Sequence, residues 1–134
     1  MGRALMIGGV FLLSRNPQAL AKWYQRHLGL ALDYLADEGS YFQEMYYREV
    51  EAPGQEQHLV YAIMPGDPGE PGQGHTVNYR VDDLDSIVAS LHDDGVETSA
   101  VTVGPDAKGQ GKFVRLQDPE GHRVELWQHV VDET

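Results

Sequence analysis

Apolar and polar positions alternate along this chain in short blocks, and the blocks recur. Met6 to Leu13 is a continuous apolar run of strand length, followed by Asn16-Pro17, an N-cap residue with proline at the first helical position. Beyond it Leu20, Trp23, Tyr24, His27 and Leu28 fall at the i, i+3, i+4, i+7, i+8 spacing of one helix face, and Gly29 stands where a helix-ending glycine belongs. Two aromatic-rich stretches, Tyr41 to Val50 and His58 to Met64, read as strands, with turn chemistry at Glu51-Ala52-Pro53-Gly54 between them. Pro65 to Gly74 (PGDPGEPGQG) is too rich in proline and glycine for regular structure and reads as a linker.

After the linker the first pattern returns. His75 to Val81 is a strand, Asp82-Asp83 a cap, and Leu84, Ile87, Val88 and Leu91 a second helical stripe ending at Gly95. Aligning Asn16 with Asp83, or Gly29 with Gly95, gives an offset of 67 or 66 residues, about half the chain. Duplication of a β-α-β-β-β unit explains this economically. The second half closes with Val96 to Val103, a glycine-bearing loop Gly104 to Gly111, a strand Lys112 to Gln117, a tight turn Asp118-Pro119-Glu120-Gly121 and a last strand His122 to Gln128.

At 134 residues the chain fits one domain with a real core. It has no cysteine, which excludes disulfides, zinc-thiolate sites and thiol nucleophiles. A formal net charge of −11 argues against a nucleic-acid partner and suits a cationic guest. No apolar run is long enough to span a bilayer and no secretory signal pattern opens the sequence, so the expectation is a cytoplasmic protein without a membrane partner.

Three stretches carry a family resemblance: SRNPQALAKWYQRHLGL in the first half, NYRVDDLDSIVASLHDDGVE opening the second, and VRLQDPEGHRVELWQ closing it. The last is the most specific, an Asp-Pro-x-Gly turn followed by an apolar-Glu-Leu strand. Together they resemble the vicinal-oxygen-chelate group, which comprises glyoxalases, bleomycin-resistance proteins and extradiol dioxygenases. The resemblance implies an α+β fold of two βαβββ modules, here 1–65 and 75–130 joined by the linker 65–74, each curling its sheet into half of a cleft. It also implies a homodimer and a small-molecule ligand or substrate, while leaving the activity open.

In that group a divalent metal is held by a side chain on the first strand of each module, seven positions before the helix cap, and by an acid on a last strand. Carried onto this chain, those positions are Gly9, which has no donor, Thr76, a poor ligand for Fe, Ni, Mn or Zn, and Glu125, which is suitable. His58 to Met64 carries no acid at all. No cofactor is therefore expected. The alternative is a divalent metal on displaced ligands, Glu125 with His75, or with His58 as a substitute. Strand alternation directs His75 away from the site unless a bulge at Gly74 intervenes.

Alternation places Thr76, Asn78 and Arg80 on one face of their strand, Arg123, Glu125 and Trp127 on one face of theirs, and Gly9, Phe11 and Leu13 on a face of the first. Phe113, Arg115, Tyr41, Tyr46 and Tyr47 are further wall candidates. Arg80 or Arg123 either grips a carboxylate or phosphate or pairs with Glu125, and Glu125 is the natural general base if chemistry occurs. Three readings stay open: a metal-free binding protein, a metal-dependent lyase, isomerase or dioxygenase with displaced ligands, and a non-catalytic interaction module.

Overall fold

The computed structural model describes residues 5–7, 9–106 and 109–132. The chain forms two compact units, Met1–Pro68 and Gly69–Thr134. Each has the same element order. In the first, β1 (Gly9–Ser14), α1 (Pro17–Leu28), β2 (Asp33–Leu35), β3 (Ser40–Glu49) and β4 (Ala52–Pro65) build a four-stranded sheet of order β1-β4-β3-β2. In the second, β5 (Thr76–Arg80), α2 (Leu84–Asp93), β6 (Thr102–Asp106), β7 (Gly109–Gln117) and β8 (Arg123–Asp132) build a sheet of order β5-β8-β7-β6. In both, the first strand runs parallel to the last and the remaining pairs are antiparallel. The fold class is α+β, and the duplicated βαβββ pattern is realised strand for strand.

The helices begin and end where side-chain chemistry satisfies their backbone. Asn16 Oδ1 accepts from Ala19 N at 3.2 Å, and Asp83 Oδ1 accepts from Ser86 N at 3.2 Å, so each short polar side chain takes up an orphan amide of a first turn. Gly29 (φ 67°) ends α1 with its N–H on the Gln25 carbonyl. Each helix covers one face of its own sheet. Leu20, Ala21 and Tyr24 pack in the first unit with Leu12, Tyr61 and Ile63, while Leu84 and Leu91 are buried in the second together with Val114, Leu116, Val124 and Leu126. Fully burying one such side chain contributes roughly 1.5–3 kcal/mol.

Four sequence expectations are corrected. The first strand starts at Gly9 and not at Met6: Leu5, Met6 and Ile7 are exposed and lie outside it. The β3–β4 turn is Val50-Glu51, with Glu49 opposite Ala52, and Pro53-Gly54 lies inside β4 at a bulge opposite Arg48/Glu49. A bulge leaves a residue unpaired, so the N–H that proline lacks is not missed there. The stretch 96–101 is irregular, and the strand begins at Thr102. Finally, the described parts of Gly104 to Gly111 are strand, with Gly104 paired to Gly111, Pro105 to Gln110 and Asp106 to Gly109, while residues 107 and 108 lie outside the described residues.

Candidate functional site

The face of the second unit's sheet that points away from α2 is a grid of three strands and three rows. Parallel pairing sets Thr76, Asn78 and Arg80 beside Arg123, Glu125 and Trp127, and antiparallel pairing sets Gln117, Arg115 and Phe113 on their other side. Val77, Tyr79, Val124 and Leu126 take the opposite parity, and Val124 and Leu126 are buried. The sequence-derived set Thr76, Asn78, Arg80, Arg123, Glu125 and Trp127 is thus brought together. Phe11 lies in the other unit.

At the centre of the grid Glu125 is held on both oxygens. Asn78 Nδ2 donates to Oε1 at 2.8 Å and Arg115 Nε donates to Oε2 at 3.2 Å. The Glu125 side chain is 21% exposed and that of Arg115 79%, so the pair is a half-wet one worth little to stability, yet it fixes the carboxylate's position. Glu125 is therefore paired, though by Arg115 instead of Arg80 or Arg123. Arg80 lies with its guanidinium carbon 6.0 Å from the centre of the Trp127 ring, and Arg123 donates from Nη2 to the Gly74 carbonyl at 2.8 Å. Three arginines thus share the three rows of the grid with one carboxylate, Glu125.

The aromatic end of the grid is braced on its own face by β6. Asp106 Oδ2 accepts from Trp127 Nε1 at 3.0 Å and lies 2.7 Å from His129 Nδ1, with the Asp106 side chain 3% exposed. A Cβ at residue 111 would come within 2.7 Å of both Asp106 Oδ2 and Trp127 Nε1, so Gly111 is the gap through which the two meet. Sequence reasoning missed Asp106, Gly111 and His129. Asp106 and Gly111 sit in a segment that reads as a flexible loop, and only the β6–β7 register shows that it is paired.

The opposite end opens into a concavity of about 980 Å³ lined by Thr76, Arg115, Gln117, Arg123, Glu125 and the 96–99 segment, which contributes Glu97, Thr98 and Ser99. Volumes of roughly 300–1,000 Å³ are usual for small-molecule sites. The 96–99 segment is anchored by Ser99 N on the Arg115 carbonyl at 2.8 Å and by Ser99 Oγ accepting from Arg115 N at 2.9 Å. Those loop residues carry no motif and were invisible in the sequence.

On the corresponding face of the first unit β1 and β4 present apolar side chains, and β3 adds Glu44, whose carboxylate lies 3.4 Å from His58 Nδ1. Gly9, Phe11 and Leu13 lie beside Val60, Ala62 and Met64, so Ala62 faces Phe11 as Glu125 faces Asn78. Phe11 is 58% exposed. Tyr46 shares this parity with Phe42, whereas Tyr41 and Tyr47 turn to the helix side. The Tyr46 hydroxyl donates to Glu44 Oε2 at 3.2 Å, and that bond, with the carboxylate's charge, raises the phenol's pKa above its ordinary value. His58 packs edge-on against the Tyr46 ring at 4.6 Å.

A divalent metal of the kind the resemblance implies does not fit these residues. A Cβ on Gly9 would sit 2.8 Å from Phe11 Cζ and 3.0 Å from the Val60 carbonyl oxygen, so the Phe11 ring fills the direction in which a ligand at this position would project. The matching positions are Ala62, without a donor, Thr76, a hydroxyl only, and Glu125, already held by Asn78 and Arg115. His75 is exposed and precedes β5. Among the described residues no three His, Asp or Glu side chains are gathered to hold an ion.

Comparison with known proteins matches this architecture. Solved structures that share the fold include a protein from the mobile metagenome of V. pseudocholerae (14% identity, TM-score 0.67, covering 98% of this chain and 99% of that one). A putative glyoxalase family protein from Bacillus anthracis is similar at 15% identity (TM-score 0.66, covering 97% and 99%). The fosfomycin resistance protein FosX from Listeria monocytogenes is similar at 16% identity (TM-score 0.60, covering 98% and 97%). No curated protein matches the sequence. Among the described residues no helix is long and apolar enough to cross a membrane. The family profile described as Glyoxalase/Bleomycin resistance protein/Dioxygenase superfamily matches residues 7–126, and the chain belongs to that superfamily.

Proposed function

We propose that this chain is a small-molecule-binding member of its superfamily whose site works without a metal ion. The observation that carries the reading is the contrast between equivalent positions. Gly9 and Ala62 offer nothing to a cation, and Phe11 closes over the first of them. Thr76, Asn78, Glu125, Arg115 and Arg123 instead form a polar, hydrogen-bonded floor beside an aromatic end and a concavity of ligand size. Glu125 serves this floor as a fixed charge that orients Arg115 and Asn78. We further propose a homodimer, for which the exposed apolar side chains Phe11 and Leu13 of the first unit are the support.

Screening a fragment library by amide chemical shifts, in buffer containing a chelator, tests the binding reading. Hits are expected to move the resonances of Thr76, Asn78, Glu125 and Trp127. Hits that reach those residues only after a divalent metal is added would overturn it in favour of a metal-dependent enzyme.

A further inference from the structure

The binding reading leaves the ligand's chemistry open, and the charges on the grid narrow it. The chain has 21 acidic residues against ten basic ones, so a lysine or arginine has acids in excess to pair with. Arg15 and Lys112 do so, with Asp67 and Asp85. On the grid the one carboxylate, Glu125, is taken by Arg115, the neighbour across β7. Arg80 rests against the Trp127 ring and Arg123 holds a backbone carbonyl, and among the described residues neither has a carboxylate partner.

Of these two, Arg123 is the one that lines the concavity. Its neighbours across the ladder are Thr76 on one side and Gln117 on the other, a hydroxyl and an amide, both capable of donating. One terminal nitrogen is tied to the Gly74 carbonyl, which limits the side chain's freedom and leaves N–H groups on the other nitrogens. A planar guanidinium fork held in place matches a carboxylate in two parallel hydrogen bonds. Glu97 also borders the concavity from the irregular 96–99 segment, and is the group through which an amine would compete.

We propose, resting on the reading of this face as a binding site, that its ligand is a small organic carboxylate anchored by Arg123 with Thr76 and Gln117. The body of the ligand extends along the grid over Glu125's hydrogen-bonded pair toward Trp127 and Phe113. Attraction to Arg123 at this exposed site weakens as salt is added.

Benzoate and benzylamine are matched probes of opposite charge, and titrating each into the full chain while following amide shifts decides the matter. Benzoate is expected to move Thr76, Gln117 and Arg123, with affinity falling about tenfold in Arg123→Gln, since a charge-assisted hydrogen bond is lost. Arg123→Lys should fall between, and Arg48→Gln in the first unit should bind as the parent does. Movement of the same residues by benzylamine and not by benzoate would overturn the carboxylate assignment while leaving a binding face in place. Benzoate binding that survives Arg123→Gln in a folded variant would overturn it too. Silence toward both probes would count against the carboxylate assignment and the binding reading together.

Discussion

Gly121→Ala is expected to lower the unfolding free energy by about 3 kcal/mol, whereas Gly95→Ala is expected to cost only about 1 kcal/mol. Both glycines have positive φ, 88° and 77°, a region that costs a residue with a Cβ roughly 1–2 kcal/mol. They differ in surroundings. A Cβ at Gly95 meets nothing within 4 Å, while one at Gly121 would sit 2.6 Å from the Pro71 Cβ and 2.7 Å from its Cα. Pro71 cannot simply retreat, because Gly72 N donates to the Gly121 carbonyl at 2.8 Å and locks the end of the linker onto the turn. The added strain of overpacking is about 1–3 kcal/mol. Urea unfolding of both variants measures the difference, and equal midpoints would mean that the linker does not seat tightly on this turn.

Asp106→Ala is expected to cost about 2–4 kcal/mol, with the Trp127 indole released from its position. The carboxylate is nearly buried and answers both Trp127 Nε1 and His129 Nδ1, so its removal takes an acceptor from two part-buried groups at once. Asp106→Asn retains one acceptor and should cost less. Denaturant unfolding gives the energies. A Trp23→Phe background leaves Trp127 as the only tryptophan, and its emission should shift to the red as water reaches the ring. Unchanged emission and stability in Asp106→Ala would show that the aromatic end of the grid stands without this brace.

Much of the architecture was legible because it is written in short-range chemistry. Asn16-Pro17 and Asp83 announce helix starts through side chains that cap amides three residues on, and strand alternation assigns Thr76, Asn78 and Arg80 to one face without knowledge of the neighbours. What failed needed long-range pairing. Pro53-Gly54 carries turn chemistry, but the β3–β4 register puts the turn at Val50-Glu51 and the proline at a bulge. Gly104 to Gly111 resembles a mobile loop until strand pairing makes Gly111 the gap for Trp127.

The candidate site shows the same division. Its members on β5 and β8 follow from alternation, whereas the choice of Arg115 as the partner of Glu125 depends on the β7–β8 register, which no periodicity reveals. Asp106 and His129 meet across a sheet from positions 23 residues apart, and Glu97 to Ser99 reach the concavity from an irregular segment held by Arg115. That Gly9 offers no donor at the position of the family's ligand was visible in the sequence. That the Phe11 ring lies where a side chain at Gly9 would project depends on a rotamer that the sequence does not specify.

Elemental analysis of the purified protein, before and after incubation with Fe, Ni, Mn and Zn, is the most direct test of a metal-free site. Metal well under one equivalent per chain is the predicted result, unchanged in Glu125→Ala and His75→Ala. Near-stoichiometric metal in the parent, lost in those two variants, would contradict the account and identify a site built on displaced ligands.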